Sequence, residues 1–114
     1  MRVVIEDLAK ENLINIYYYN AQYSLKSAIE TNKNILNYIH SLESSTYIGR
    51  YIPEILDNCF QELIYRKNRR TGYRIMYYIS EKNNTIYVFN IINCKQNFNQ
   101  ILKLHNYFNN YFNF

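Results

Sequence analysis

The chain has 114 residues, a formal net charge of +4 and 48% hydrophobic side chains, which fits one domain with one core and excludes intrinsic disorder. There is no apolar run of membrane-spanning length, and MRVVIEDLAKEN has no long apolar stretch after its basic residue, so neither a membrane span nor a signal peptide is expected, and the location expected is the cytoplasm. Cys59 and Cys94, the only cysteines, belong to no CxxC or Cys/His cluster, so neither a metal site nor a cofactor is expected.

Residues 2–5, RVVI, are β-branched and apolar and predict a strand, with Glu6 or Asp7 placed to cap a helix after it. Leu8, Leu13, Ile16, Tyr17 and Asn20–Ala21 then fall at helical spacing. After a break near Gln22–Ser24, the residues Leu25, Ala28, Ile29, Asn32, Ile35, Leu36, Ile39 and Leu42 recur three and four apart, with Lys26, Lys33, Asn34 and Asn37 off the stripe. The short link makes the two helices an antiparallel pair. Periodicity is lost from Glu43 to Asn58, a connection that holds Gly49 and Pro53.

Three strands follow. Cys59–Arg66 leads through a polar turn, Lys67–Gly72, into Tyr73–Ser80, where Tyr73, Ile75, Tyr77 and Ile79 alternate with Arg74, Met76, Tyr78 and Ser80. A compact turn, Glu81–Asn84, leads into Thr85–Ile92, whose continuous apolar run suits a central strand. Beyond Cys94, the residues Phe98, Ile101, Leu102, His105, Phe108 and Phe112 give residues 98–112 a helical pattern that fits either a third docked helix or a partner-binding element. The fold class read from this order is α+β in a single domain over 1–114, β-α-α-β-β-β-(α). The helix pair packs on one face of a mostly antiparallel twisted sheet whose other face is partly open. With Tyr73, Ile75, Tyr77 and Ile79 toward the helices, Arg74 and Tyr78 are expected to face the open side.

The charge is unevenly divided. Residues 1–57 carry 5 basic and 7 acidic side chains, and residues 58–114 carry 8 basic and 2 acidic. Arg66, Lys67, Arg69, Arg70 and Arg74 lie within nine residues, a cluster suited to phosphates or to an acidic protein. The alternative is a solvated turn, with Arg74 paired to Glu62 or Glu81. Arg50 beside Glu54 reads as a structural ion pair that fixes the long connection. Tyr78 and Tyr87 offer rings for stacking on bases, against a background of 14 tyrosines. His40 suits a helix C-terminus and His105 suits packing, so no proton shuttle is evident.

Six segments, taken in order, resemble the RelE/ParE superfamily of toxins from bacterial type II toxin–antitoxin modules. They are AKENLINIYYYN, Gly49-Arg50-Tyr51-Ile52-Pro53-Glu54, Gln61-Glu62-Leu63-Ile64, Tyr73-Arg74-Ile75-Met76-Tyr77, Asn84-Thr85-Ile86-Tyr87-Val88 and Ile92-Asn93-Cys94-Lys95-Gln96-Asn97-Phe98, within roughly residues 2–100. The resemblance implies a growth-inhibiting toxin, in a family associated with plasmid stabilization, held by a small acidic antitoxin in a hetero-oligomer. Its target would be DNA gyrase or the ribosome with its messenger RNA. In the superfamily's ribosome-dependent nucleases, cleavage uses basic residues on the second strand, an arginine on the third, an arginine after the fourth and a C-terminal tyrosine. Arg74 matches the third-strand arginine, and Lys95 matches the next with its charge kept and its bidentate geometry lost. The second-strand sites fall near Gln61 and Leu63. The tyrosine site falls near Ile101, with Tyr107 and Tyr111 further on. The resemblance therefore implies gyrase poisoning ahead of RNA cleavage, with an inactive homologue that keeps antitoxin binding as a third reading. Whether the chain is an enzyme stays open. The expected target-binding residues are Arg66, Lys67, Arg69, Arg70, Arg74, Tyr78 and Lys95, with Arg74 and Lys95 catalytic under the nuclease reading.

Overall fold

The computed structural model of the chain describes residues 1–95. Its elements are β1 (Arg2–Ile5), α1 (Asp7–Ala21), α2 (Leu25–Ser41), β2 (Arg50–Tyr51), β3 (Phe60–Arg66), β4 (Gly72–Ser80) and β5 (Thr85–Asn93). They build an α+β fold with two helices on one sheet. The helix expected over residues 98–112, with His105, Tyr107 and Tyr111, lies outside the described residues.

The sheet runs in the order β1-β5-β4-β3-β2. β1 lies parallel to β5, and the other neighbours are antiparallel. The apolar run TIYVFNII therefore forms an inner strand, as its composition required. Leu13 of α1, Ile35 and Ile39 of α2 and Leu42 at its C-cap pack on Tyr65, Ile75, Tyr77, Ile86, Val88 and Ile91 to make the main core. Each such aliphatic side chain stabilises the fold by about 1.5–3 kcal/mol through its burial.

Local chemistry sets the helix limits. Glu6 stands at the α1 N-cap position, but its side chain makes no cap hydrogen bond. Ser24 caps α2, its side chain accepting from the Ser27 N–H at 3.2 Å. The buried line of α2 is Ala28, Thr31, Ile35 and Ile39, continued by Leu42 at the C-cap, while Leu25 and Ile29 at the flank of the expected stripe are exposed.

Two features of the sheet depart from the sequence reading. The first is β2, a two-residue edge strand inside the connection that periodicity left blank. Two residues are too few to show an alternation. The second is the far face of the sheet, which is not open at its centre. Ile52 and Ile55 of the connection fold over it and pack with Phe60, Met76 and Phe89 as a second core. A bulge helps to build that core. Met76 pairs with Asn90 and Tyr77 with Val88, so Phe89 is the extra residue and joins Asn90 on the far face. The Ile91 N–H beyond the bulge donates to Asn12 Oδ1 of α1 at 2.9 Å.

Among the described residues no helix is long and apolar enough to cross a membrane, and no cluster of three or more His, Cys, Asp or Glu could hold a metal.

Candidate functional site: a closed ion-pair network and an open cationic cleft

Gly49 begins the clamp that closes the far face. A Cβ there would overlap the Tyr77 hydroxyl and lie 2.7 Å from the Glu62 carbonyl oxygen. Only glycine lets the chain pass so close, and its N–H donates to Tyr77 Oη at 3.1 Å. That hydroxyl in turn donates to Gln61 Oε1 at 3.1 Å, and burial pushes the phenol up to about 12. The next residue, Arg50, stands opposite Glu62 in the β2–β3 register. Its Nη2 lies 2.7 Å from Glu62 Oε2. Ile52 then buries, and Glu54 reaches the centre of the face.

There Arg74 meets two carboxylates. Its Nη1 and Nη2 donate to the two oxygens of Glu54 at 2.7 and 2.6 Å, and its Nε donates to Glu62 Oε1 at 2.8 Å. The Arg74 side chain is 7% exposed and that of Glu62 is fully buried. Arg74, Glu54 and Glu62 by themselves would leave an excess negative charge, which the 60% exposed Arg50 balances from the rim. The bonds from Arg74 hold the Glu54 carboxyl below its ordinary value, against the opposing effect of burial. The same carboxylate raises the Arg74 guanidinium above the usual arginine range, so it stays charged.

Two expectations are corrected here. Arg74 does turn away from the helices, but it is buried beneath the connection and does not face an open surface. Arg50 pairs with Glu62, not with Glu54, because the strand register sets Arg50 and Glu62 side by side while Glu54 belongs to the turn beyond. The pairing of Arg74 with Glu62 was among the readings of the sequence. Nothing in the spacing indicated the bidentate grip of Glu54, because it needs the connection to fold back.

The other basic residues lie at the turn between β3 and β4. Asn68 organises it, with Oδ1 accepting from the N–H groups of Arg70 and Thr71 at 2.9 and 2.8 Å. Arg66, Arg69 and Arg70 are exposed. Lys67 folds back and donates from Nζ to Asn20 Oδ1 at 2.7 Å, near the C-terminus of α1 where a cation is favoured. Asn20 also donates to the Ile16 carbonyl and to Tyr73 Oη. Lys95 joins this end because the Cys94 N–H donates to the Gly72 carbonyl, carrying the end of β5 beside the turn.

Arg70 and Lys95 line a cleft of about 510 Å³ with Asn15 and Tyr19 of α1, Thr71 and Asn93. It opens beside the helices, on the face opposite Arg74, and among the described residues none that lines it is acidic. Tyr78 is not part of it. Tyr78 sits near the other end of β4, against Phe60 with ring centroids 4.9 Å apart, in a cleft of about 370 Å³ with Tyr47, Tyr51 and Cys59. Burial, and then the nearby Cys59 and Asp57, raise its phenol. The structure thus brings Arg70 and Lys95 together and separates Arg74 and Tyr78 from them. The sequence reading missed Asn15, Tyr19 and Asn93, which only the fold assembles.

Compared with models of known families, residues 3–98 match the one described as the ParE toxin of type II toxin-antitoxin system, parDE. No curated protein matches the chain.

Proposed function

The chain belongs to the ParE toxin family of type II toxin–antitoxin systems, and from that premise we propose that it arrests growth by binding and poisoning DNA gyrase, without RNA chemistry. One observation carries the choice, namely the enclosure of Arg74 between Glu54 and Glu62. A nuclease needs cationic donors aimed at the charge that develops on the scissile phosphate. All three guanidinium nitrogens of Arg74 already donate to carboxylates. A phosphate there would have to displace Glu54 and would bring more negative charge beside buried Glu62. The neighbouring β3 positions, Gln61 and Leu63, supply no cation in its place. The family pairs such a toxin with an antitoxin, and the cationic end of this chain suits an acidic one.

The test is induction of the toxin without its antitoxin. Primer extension should find transcripts intact in arrested cells, and the purified chain should inhibit supercoiling by gyrase. Transcripts cut only when ribosomes are present, with supercoiling unaffected, would replace this proposal with the nuclease reading. Undiminished growth would replace it with an inactive homologue.

A further inference from the structure

The cleft at the cationic end combines features that a merely solvated turn does not need. Its two cations come from separate elements, Arg70 from the β3–β4 turn and Lys95 from the end of β5. Both are anchored through their backbones. The Arg70 N–H donates to Asn68 Oδ1 at 2.9 Å and the Lys95 N–H donates to Asn93 Oδ1 at 3.0 Å. The segment that supplies Arg70 is uniformly cationic, since the chain carries no acidic residue from 63 to 80. Lys67, held on Asn20, adds a fixed positive charge next to the cleft.

Charge alone would suit any anion, but the other lining residues narrow the choice. Tyr19 is 60% exposed, as several tyrosines of this chain are, and it shares its cleft with two cations. Its ring lies edge-on to Tyr23 with centroids 5.7 Å apart. Asn15 and Asn93 add side-chain amides, which offer both donors and acceptors. Paired cations, an exposed aromatic ring and amides in a cleft of about 510 Å³ match the parts that hold unpaired bases on a charged backbone. An acidic peptide would engage the cations and leave the ring and amides without a planar partner. Duplex DNA keeps its bases stacked out of reach of Tyr19.

We propose that this cleft binds a single-stranded nucleic-acid segment, with a phosphodiester between Arg70 and Lys95 and the adjoining base stacked on Tyr19. The site is separate from the Arg74 network and does not depend on gyrase being the target, so it is measured on the full-length toxin alone. Fluorescence anisotropy with labelled oligo-dT and oligo-U at low salt should show binding tighter than that of a duplex or of an oligoglutamate peptide of equal charge. The two strands also separate DNA from RNA as the preferred source. Tyr19→Ala should weaken strand binding roughly 5- to 100-fold. Arg70→Ala should weaken it and lower the salt slope by about 1. Lys33→Ala on α2 should leave it unchanged. Tyr19 and Arg70 are exposed, so unchanged circular dichroism should accompany both losses. If the duplex or the peptide binds as well as the strands, or if folded Tyr19→Ala binds like the parent, the proposal is overturned.

Discussion

Arg74 illustrates how a residue's surroundings decide what its charge is for. A guanidinium with both carboxylates in place is neutralised, and one with a partner removed leaves an uncompensated buried charge. Arg74→Ala should therefore cost about 3–5 kcal/mol of stability, read as a lower Tm, and any loss of toxicity in that variant must be judged against its folded fraction. The same network makes stability depend on acid. The folded-state value of Glu54 lies below the 4.5 of the free side chain, so the unfolded chain takes up the proton first as pH falls. Its contribution is complete above about pH 4.5 and is lost as pH drops through the lowered value. Glu54→Gln should lower Tm at neutral pH and flatten the fall in Tm between about pH 5 and pH 3. Parallel acid limbs in the two proteins would show that Glu54 is not linked to folding. Residue types alone made Arg74 and Glu62 candidates for each other. The part of Glu54 was not legible, because it depends on a glycine-permitted contact between Gly49 and Tyr77.

The elements whose period repeats over many residues were the ones legible in the sequence. α2 and the alternation of β4 are such cases, and the inner position of β5 followed from its unbroken apolar run. The connection between α2 and β3 was opaque for the opposite reason. Its order comes from tertiary contacts of Gly49, Arg50, Ile52 and Glu54, one residue at a time. Three of the six segments that carry the family resemblance, those beginning at Gly49, Gln61 and Tyr73, turn out to be this clamp and the strands that receive it. Asn20 plays a similar joining part at the other end of the molecule, where α1, β4 and the basic turn meet. It accepts from Lys67 and donates to Tyr73, whose ring is 4% exposed. Asn20→Ala should cost about 1–3 kcal/mol, since it leaves buried polar groups without partners. It should also speed amide hydrogen exchange in the 67–71 turn. Unchanged exchange there would show that the Asn68 turn holds without the helix.

Among the described residues, the exposed turn arginines and the exposed apolar groups of the helix pair lie on different elements. The charges of the Arg74 network balance, while Arg66, Arg69, Arg70 and Lys95 present positive charge at the surface. The exposed rings and aliphatic groups of Tyr18, Tyr23, Leu25 and Ile29 lie on the helix pair. A partner meeting both surfaces would be steered by the first and held by the second. Steering acts over about 10 Å at 0.1 M salt and changes the rate of encounter more than the rate of escape. For an acidic antitoxin, Arg66→Glu with Arg69→Glu should lower the association rate about tenfold at low salt and leave dissociation nearly unchanged. The deficit should shrink as salt is raised. Lys26→Glu with Lys33→Glu makes the same change in net charge on the exposed side of α2 and serves as the control. If both pairs slow association equally, net charge alone guides the antitoxin. A larger effect from the turn pair locates the approach at the cationic end, beside the cleft. An antitoxin bound there would then compete with oligonucleotide for the same surface.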